Sequence, residues 1–204
     1  LGRIAVYYQT SKSITSTNPT AYSALLGQIP TPTPAPTSIN LTSTPSPWGN
    51  GQDGDLTVNG TFNLSTQNSG ARTCAGGGDG VAYGIVTLSE SWAKLGTKPG
   101  LNCLKPGDEI ILYHSYGSGP NLGNYEFLHV GGLVGDTVYF TSPKTKYYGS
   151  NSGDDSNVGT AQSVILQRVP NYQNVTVNGT LSTSNPLIFR VSGSLTGSGS
   201  ISAN

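Results

Sequence analysis

The sequence predicts an all-β fold: a β-sandwich-like main domain, a short β-solenoid or edge-strand tail after it, and a detached N-terminal strand before it. Short apolar runs alternate with turn residues at close intervals through most of the chain. Two similar segments that end in Asn-Gly lie far apart in the chain. The last part of the chain breaks into very short strands separated by serine and glycine, which is the pattern of a β-solenoid.

Four segments follow from this pattern. Residues 1–9 form a strand rich in β-branched and aromatic side chains, and residues 10–47 form a polar, proline- and threonine-rich spacer. Residues 48–172 form the main β domain, and residues 173–204 form the solenoid-like tail. Alternating prolines in the spacer favour extended polyproline geometry, so the spacer separates the first strand from the rest.

The main domain contains a series of predicted strands and one short predicted helix. The helix is Ser89–Leu95, which Gly96 ends. Tight turns at Gly107-Asp108 and Gly135-Asp136 join strands, because glycine supplies a positive φ and aspartate bonds its own backbone. This spacing is typical of a β-sandwich or a barrel. The predicted strands are 56–64, 81–88, 109–113, 125–130, 137–141 and 163–169.

An internal repeat brackets the main domain. Leu56–Thr66 resembles Val175–Thr183, and in both an alternating strand runs into Asn-Gly, a strong hairpin signal. The two copies are interpreted as equivalent rungs or edge strands, and chance similarity between threonine- and valine-rich strands is the alternative. One or two rungs cannot bury a core alone, so the tail is expected to continue into a neighbour.

Charge is scarce, and this excludes one class of function. Charged residues make up 10% of the 204 residues, and ten basic side chains balance ten acidic ones. Soluble proteins usually carry roughly 25%. Nucleic-acid binding is excluded, because no basic surface is available to neutralise phosphates. No apolar stretch approaches the ~20 residues that span a membrane.

Cys74 and Cys103 are the only cysteines, and each lies beside turn residues. An even number without metal-ligand spacing favours a disulfide formed in an oxidising compartment, with two buried free thiols as the alternative. The sequence contains no signal-peptide pattern, so we expect a processed subunit or a fragment of a longer protein. The predicted location is extracellular, at the cell surface.

Several motifs in the second half of the chain are distinctive as a set. They are Lys105–Leu112, Gly123–Val130, Val138–Gly149 and Gln167–Tyr172. Together they resemble an adhesin-like module of large secreted bacterial surface proteins, in which the module precedes a glycine-rich β-helix. In those proteins, sequence segments similar to 189–203 follow the module, and segments similar to Gly2–Tyr8 occur near the end of the β-helix. The resemblance implies a structural or adhesive role and brings no catalytic residues, and this chain lacks the glycine-rich repeats.

No set of catalytic residues is recognisable, and we expect no enzyme activity and no cofactor. His114 and His129 are the two histidines, and a strand-surface position is the commoner explanation for His129. A hydrolase would pair a histidine with Glu126 or Asp108 and a serine. The nucleophile elbow Gly-x-Ser-x-Gly is missing in a strand–turn–helix context.

Acidic residues in two glycine-rich loops are candidate Ca²⁺ ligands. Asp53 and Asp55 lie in one loop, and Asp154 and Asp155 lie in the other. Carboxylate oxygens are what Ca²⁺ prefers, but no glutamate closes either loop as in an EF-hand. Asp-Gly turns are also common without metal, and that explanation is preferred.

Asparagine sequons and aromatic residues are two further candidate features. Eleven tyrosines and two tryptophans could stack on sugar rings or be buried at subunit contacts. The second use suits Tyr7-Tyr8, because alternation places one ring on each face of a strand. Other tyrosines near strand ends are Tyr147, Tyr148 and Tyr172. Candidate glycosylation sites are Asn40, Asn59, Asn63, Asn174 and Asn178.

These observations predict an extracellular structural protein, a subunit of a cell-surface filament. Residues 1–9 would swing out on the spacer and add to the open edge of a neighbouring copy, and this head-to-tail contact would not close. The alternative is a surface adhesin or carbohydrate-binding module, cut from a larger β-helical protein, that binds polysaccharide. The predicted subunit contacts are Arg3, Ile4, Ala5, Val6, Tyr7, Tyr8, Phe189, Val191, Leu195 and Ile201.

Overall fold

The computed structural model describes the backbone of residues 4–8 and all of residues 48–203. The predicted spacer therefore lies outside the described residues. Every helix-or-strand element in the described part is a β-strand, which confirms the all-β class. The strands are β1 (Ile4–Tyr8), β2 (Leu56–Val58), β3 (Thr61–Asn63), β4 (Ala82–Leu88), β5 (Trp92–Leu95), β6 (Glu109–Tyr116), β7 (Tyr125–Val134), β8 (Thr137–Phe140), β9 (Ser163–Arg168), β10 (Asn171–Tyr172), β11 (Val175–Val177), β12 (Thr180–Thr183), β13 (Leu187–Val191), β14 (Leu195–Thr196) and β15 (Ser200–Ala203).

Six antiparallel strands close into a barrel in the order β4-β5-β8-β7-β6-β9. Strand spacing is compatible with a sandwich or a barrel, and the structure has the barrel. Closure occurs because β4 pairs with β5 on one side and with β9 on the other, which leaves the sheet no edge. Alternate residues fill the interior, as Ile110 and Leu112 of β6 do.

The segment predicted as a helix, Ser89–Leu95, is instead a turn followed by strand β5. Ala93 and Leu95 are buried in the barrel, and Lys94 between them is exposed. This period of two suits a strand. A helix this short has little stability of its own, so pairing with β4 and β8 decides the outcome.

The remaining strands form rungs of a short parallel β-helix. Rung 1 consists of β2 and β3, rung 2 of β10, β11 and β12, and rung 3 of β13, β14 and β15. The rungs stack in register, so that Val175 pairs with Leu56 on one side and with Leu195 on the other. Likewise Leu181 pairs with Phe62 and with Ile201.

The internal repeat is therefore structural. Leu56–Val58 lies directly against Val175–Val177. The Asn-Gly pairs, read as hairpin signals, are corners between two different parallel sheets. The predicted domain boundaries change accordingly: residues 56–63 belong with the tail, and the barrel strands are inserted between rung 1 and rung 2.

The N-terminal strand is not detached in this structure. Strand β1 pairs in parallel with β13, from Ile4 opposite Leu187 to Tyr8 opposite Val191. It lies on the side of β13 away from β10. It thus occupies the position where the first strand of a fourth rung would lie.

Apolar residues of the three rungs form a core separate from that of the barrel. Phe189 and Val191 are fully buried in it and pair with Val6 and Tyr8 of β1, and their role as subunit contacts stays a prediction. Leu195 and Ile201 pack on this core but are only partly buried, because they lie in the last described rung. A third cluster joins the barrel to the outer face of β13 through Ile111, Val169 and Ile188.

The structure joins Cys74 to Cys103 in a disulfide, as the sequence predicts. Both residues are buried, and their sequence separation is 29. The bond ties the segment that enters the barrel to the loop before β6, and so restrains a part of the insertion that has little regular structure.

Reduction of this disulfide is expected to lower the free energy of unfolding by about 3–4 kcal/mol, because the crosslink removes chain entropy from the unfolded state. Urea unfolding with and without dithiothreitol measures the effect. The double variant Cys74→Ala/Cys103→Ala is the control and should give one midpoint in both conditions. Equal midpoints for the wild type with and without reductant would contradict the prediction.

Candidate functional site

A cleft opens on the barrel beside strands β4, β6 and β9. Its volume is about 390 Å³, within the ~300–1,000 Å³ typical of small-molecule pockets. None of the described residues that line it carries a charge. The lining comprises Gly84, Ile85 and Val86 of β4, Gly96 and Thr97 after β5, Tyr116 of β6, and residues 159–164.

Two β-bulges border the cleft. The register between β4 and β5 shifts between Ile85 and Thr87, and the register between β6 and β9 shifts between His114 and Tyr116. A bulge bends its strand and redirects the next side chains, and bulges are common beside binding sites. Tyr116 follows the second bulge and is 78% exposed at the cleft.

The floor of the cleft is held rigidly by Gln162, which is 1% exposed. Its Oε1 accepts hydrogen bonds from His114 Nε2 at 2.9 Å and from the Ser118 amide at 3.1 Å. Its Nε2 donates to Ser150 Oγ at 3.0 Å. Gly117 packs against this amide, and a Cβ there would lie 2.0 Å from Oε1. These hydrogen bonds and the close packing of Gly117 fix the orientation of the Gln162 side chain.

His114 is a buried partner of Gln162. Because Gln162 Oε1 accepts, His114 Nε2 donates, and His114 Nδ1 has no hydrogen-bond partner among the described residues. The two carboxylates considered for a hydrolase have side-chain partners other than the histidines. Glu126 accepts from the Tyr148 hydroxyl at 3.0 Å, and Asp108 forms a two-pronged pair with Arg72.

The first pair of candidate metal ligands is held by neighbours in the rungs. Asp53 is buried, accepts the Asn171 amide at 2.7 Å and pairs with Arg168. Asp55 accepts two hydrogen bonds from Asn174, both at 3.0 Å. Across residues 48–203 no three His, Cys, Asp or Glu side chains converge as a metal site.

The second pair of candidate ligands has partners of its own. Hydrogen bonds from Asn151 and Ser156 hold the pKa of the Asp154 carboxyl below its ordinary value. Asp155 accepts from Lys144 Nζ at 2.6 Å and from the Tyr148 amide at 3.0 Å. These carboxylates stabilise the loop from 144 to 156.

Most sequon asparagines in the described part are components of the β-helix. An N-glycan would attach to the side-chain amide nitrogen. In Asn178 this nitrogen donates to Asn59 Oδ1 at 3.1 Å. In Asn174 it donates to Asp55, and in Asn63 to Ser184 Oγ at 3.3 Å. These three amides connect adjacent rungs. Asn40 lies outside the described residues.

A buried ionic cluster joins the barrel to the rungs, and the sequence analysis missed it. Arg168 is fully buried, pairs with Asp53 and donates to the Asp79 carbonyl at 2.9 Å. The Tyr172 hydroxyl donates to Asp79 Oδ2 at 2.7 Å. Burial, reinforced by the Asp79 carboxylate, raises the pKa of Tyr172 well above its ordinary value. The available signal was one arginine inside the apolar run Val164–Val169, in a chain with little charge.

The other predicted subunit contacts lie at the end of rung 3. Within the described residues, β14 and β15 pair only with rung 2, so their far edges are open. Leu195 and Ile201 belong to these two strands. The backbone of Ile4–Tyr8 lies beside them along β13, and Arg3 lies outside the described residues.

The tyrosines divide between cores and surface. Tyr148 and Tyr172 are fully buried, so neither can stack on an external sugar. Tyr147 is exposed, with Lys144 Nζ 4.8 Å from its ring centre. Tyr125 is exposed as well and lies edge-on to Phe127. Among the tyrosines whose side chains the structure describes, Tyr116 is the most exposed, and it lines the cleft.

No helix in the described part of the chain is long and apolar enough to cross a membrane.

No family model and no curated protein matches the chain. Among solved structures it is similar to the tailspike of Acinetobacter baumannii bacteriophage AP22, solved with A. baumannii capsular saccharide, at 12% identity and a TM-score of 0.30, over 72% of this chain and 27% of that one. It is similar to the tailspike of Pseudomonas phage phi297 at 18% identity and a TM-score of 0.30, over 67% of this chain and 23% of that one. The chain thus spans about a quarter of the length of these proteins, and at such TM-scores the likeness does not establish a shared fold.

Proposed function

We propose that this chain is a non-enzymatic extracellular structural protein whose β-helix accepts a further parallel strand at its rung 3 end. The observation that carries the proposal is the pairing of β1 with β13 in the register of a further rung. The buried disulfide supports an oxidising, extracellular location.

The open edges beside β1 explain why copies would join. No described strand pairs with the far edges of β14 and β15, and such edges attract another strand. Leu195 and Ile201 would lose their remaining exposure under an added rung. Backbone hydrogen bonds supply affinity in this kind of strand addition.

Residues 4–8 can come from a neighbouring copy instead of the same chain. Residues 9–47 connect β1 to the described segment that leads into rung 1, and they have a covalent reach of up to roughly 130 Å at ~3.3 Å per residue. Exchange of the strand between copies creates a head-to-tail contact that does not close, which generates a filament.

Deletion of residues 1–9 should yield a folded monomer, whereas the full chain should form concentration-dependent oligomers. Light scattering after size-exclusion chromatography and negative-stain microscopy measure the difference. A synthetic peptide of residues 1–10 should bind the truncated protein, and a peptide of the same composition in scrambled order should not. Filaments formed by the truncated protein, or a strictly monomeric full chain, would sink the proposal.

A second candidate function is polysaccharide binding at a surface. The specific observation in its favour is the uncharged cleft with an exposed tyrosine at its border. Pull-down on cellulose, chitin and peptidoglycan tests this function, because a protein with a purely structural role should be retained by none of them.

A further inference from the structure

We propose that the cleft between β4, β6 and β9 binds a neutral saccharide, with Tyr116 stacking on a sugar ring in the space left open by Gly84 and Gly96. This inference rests on the second candidate function and assigns it a site and a ligand class. Four features of the cleft support it: its glycines, its rigid floor, its hydroxyl groups and its lack of charge.

Two of the three glycines that line the cleft, Gly84 and Gly96, are required neither by a lack of space nor by a left-handed φ. A Cβ on Gly84 would meet no atom within 4 Å, and a Cβ on Gly96 would make ordinary contacts at 3.5 and 3.6 Å. Neither has a left-handed φ. Glycine in a strand interior weakens the strand and often marks a bulge, a tight bend, or the close approach of a ligand or of another backbone. Gly84 lies inside strand β4 and lines the cleft, and its lack of a side chain keeps the space above it open.

Gly159, also in the cleft, shows the contrast. Its φ is +82°, and a Cβ there would lie 2.6 Å from Val86 Cα. Its backbone conformation and its packing both require glycine. Gly84 and Gly96 thus differ from Gly159, because only at these two positions is there room for a side chain.

Two hydroxyl groups of the cleft have complementary unused capacity. Thr160 Oγ1 donates to the Asn157 carbonyl at 3.1 Å, which leaves its oxygen able to accept. The Ser115 hydroxyl is placed to donate to the Ser163 carbonyl at 3.0 Å and to Ser163 Oγ at 3.1 Å, and the Ser163 hydroxyl hydrogen has no acceptor among the described residues, which leaves it able to donate. A sugar hydroxyl both donates and accepts, so one acceptor and one donor beside the rigid Gln162 floor suit a polyol.

The electrostatics of the cleft select a neutral ligand. No Lys, Arg, Asp or Glu is among its described lining residues, so a carboxylate, phosphate or amine would bury its charge without a partner. Tyr116 presents a ring with an apolar face and a polar tip, which suits the apolar face and the hydroxyl edge of a pyranose. Exposure of 78% leaves this ring free to stack.

The test is isothermal titration of four proteins with neutral cello-, chito-, malto- and xylo-oligosaccharides, and with oligogalacturonate as an acidic probe. Gly84→Val adds a side chain to the cleft at a position where a Cβ meets no atom within 4 Å, and Tyr116→Ala removes the ring. Gly132→Val is the matched control, since Gly132 also lies in a strand, has no atom within 4 Å of an added Cβ, and does not line the cleft. Thermal melts confirm that each variant folds.

At least one neutral oligosaccharide should bind the wild type and Gly132→Val equally. The same probe should bind Gly84→Val and Tyr116→Ala at least about tenfold more weakly. Equal binding by all four proteins would show that the cleft is not the binding site, although the protein binds saccharide. Binding of oligogalacturonate alone would overturn the neutral ligand class. No binding of any probe at millimolar concentration would overturn both this inference and the second candidate function.

Discussion

Replacement of Arg168 by methionine is expected to lower the free energy of unfolding by about 3–5 kcal/mol, because it leaves the buried Asp53 carboxylate without its closest cation. Arg168 is fully buried where the barrel meets the rungs. Methionine keeps much of the side-chain volume but leaves Asp53 with a 3.9 Å contact to Arg72 Nε. In a chain of this size each kcal/mol lowers the melting temperature by about 2–4 °C, so a fall of roughly 6–20 °C is expected.

Two further variants distinguish loss of charge pairing from loss of packing. Adding Asp53→Asn to Arg168→Met should recover part of the lost stability, because it removes the unpaired carboxylate. Lys94→Met breaks an exposed pair with Asp136, 3.9 Å long, and should cost less than about 1 kcal/mol. Calorimetry on all four proteins measures these effects. If Arg168→Met were as mild as Lys94→Met, the buried cluster would not be what joins the two units.

The position of Arg168 also explains how a barrel can interrupt a β-helix. Asp53 precedes rung 1, Asp79 enters the barrel, and Asn171 and Tyr172 begin rung 2. One guanidinium and two carboxylates thus connect both ends of the insertion to the rungs on either side of it. Buried groups of this kind tolerate few arrangements, since each must find its partner.

The repeat of the rungs was predictable from sequence, and the closure of the barrel was not. Val175–Val177 repeats Leu56–Val58 because each rung must place the same small set of side chains on the same core. The barrel depends on the pairing of Gly84 with Ile165, residues far apart in sequence, and alternating strands look the same in a sandwich. The helix predicted over Ser89–Leu95 failed for a similar reason, because neighbouring strands decide the state of a short apolar segment.

The cleft was beyond sequence reasoning for a different reason. Its walls come from β4, the loop after β5, the end of β6 and the segment before β9, which share no motif. Gly84 is informative only once its position on the outer face of β4 is known, where an added Cβ would meet nothing. Among 28 glycines in the chain, the sequence does not single it out.

Substitution of Gly179 by alanine is expected to lower the free energy of unfolding by about 1–3 kcal/mol, the usual cost of overpacking. A Cβ at Gly179 would lie 2.1 Å from the Gly60 carbonyl oxygen of the rung beside it. That contact is with backbone, so no side chain can rotate away. Gly179 has no left-handed φ, and the penalty is therefore steric.

The matched control is Gly60→Ala, in the equivalent corner of rung 1. A Cβ at Gly60 would meet no described atom within 4 Å, because this corner faces away from the stack. Alanine there should leave the stability unchanged, or raise it by about 0.4–1 kcal/mol because it lowers the conformational entropy of the unfolded chain. Urea unfolding of both variants at low protein concentration measures the difference.

The Gly60 corner also reports on assembly. If Gly60→Ala were as destabilising as Gly179→Ala, backbone from another segment would have to pack against the Gly60 corner in solution. In this structure the Gly60 backbone packs against the Gly179 corner in the same way. If the cost appeared only at high protein concentration, that backbone would belong to a second copy stacked on rung 1. A filament built by adding strands at the rung 3 end alone leaves Gly60 uncovered, so the pair of variants tells which end of the β-helix carries the contact.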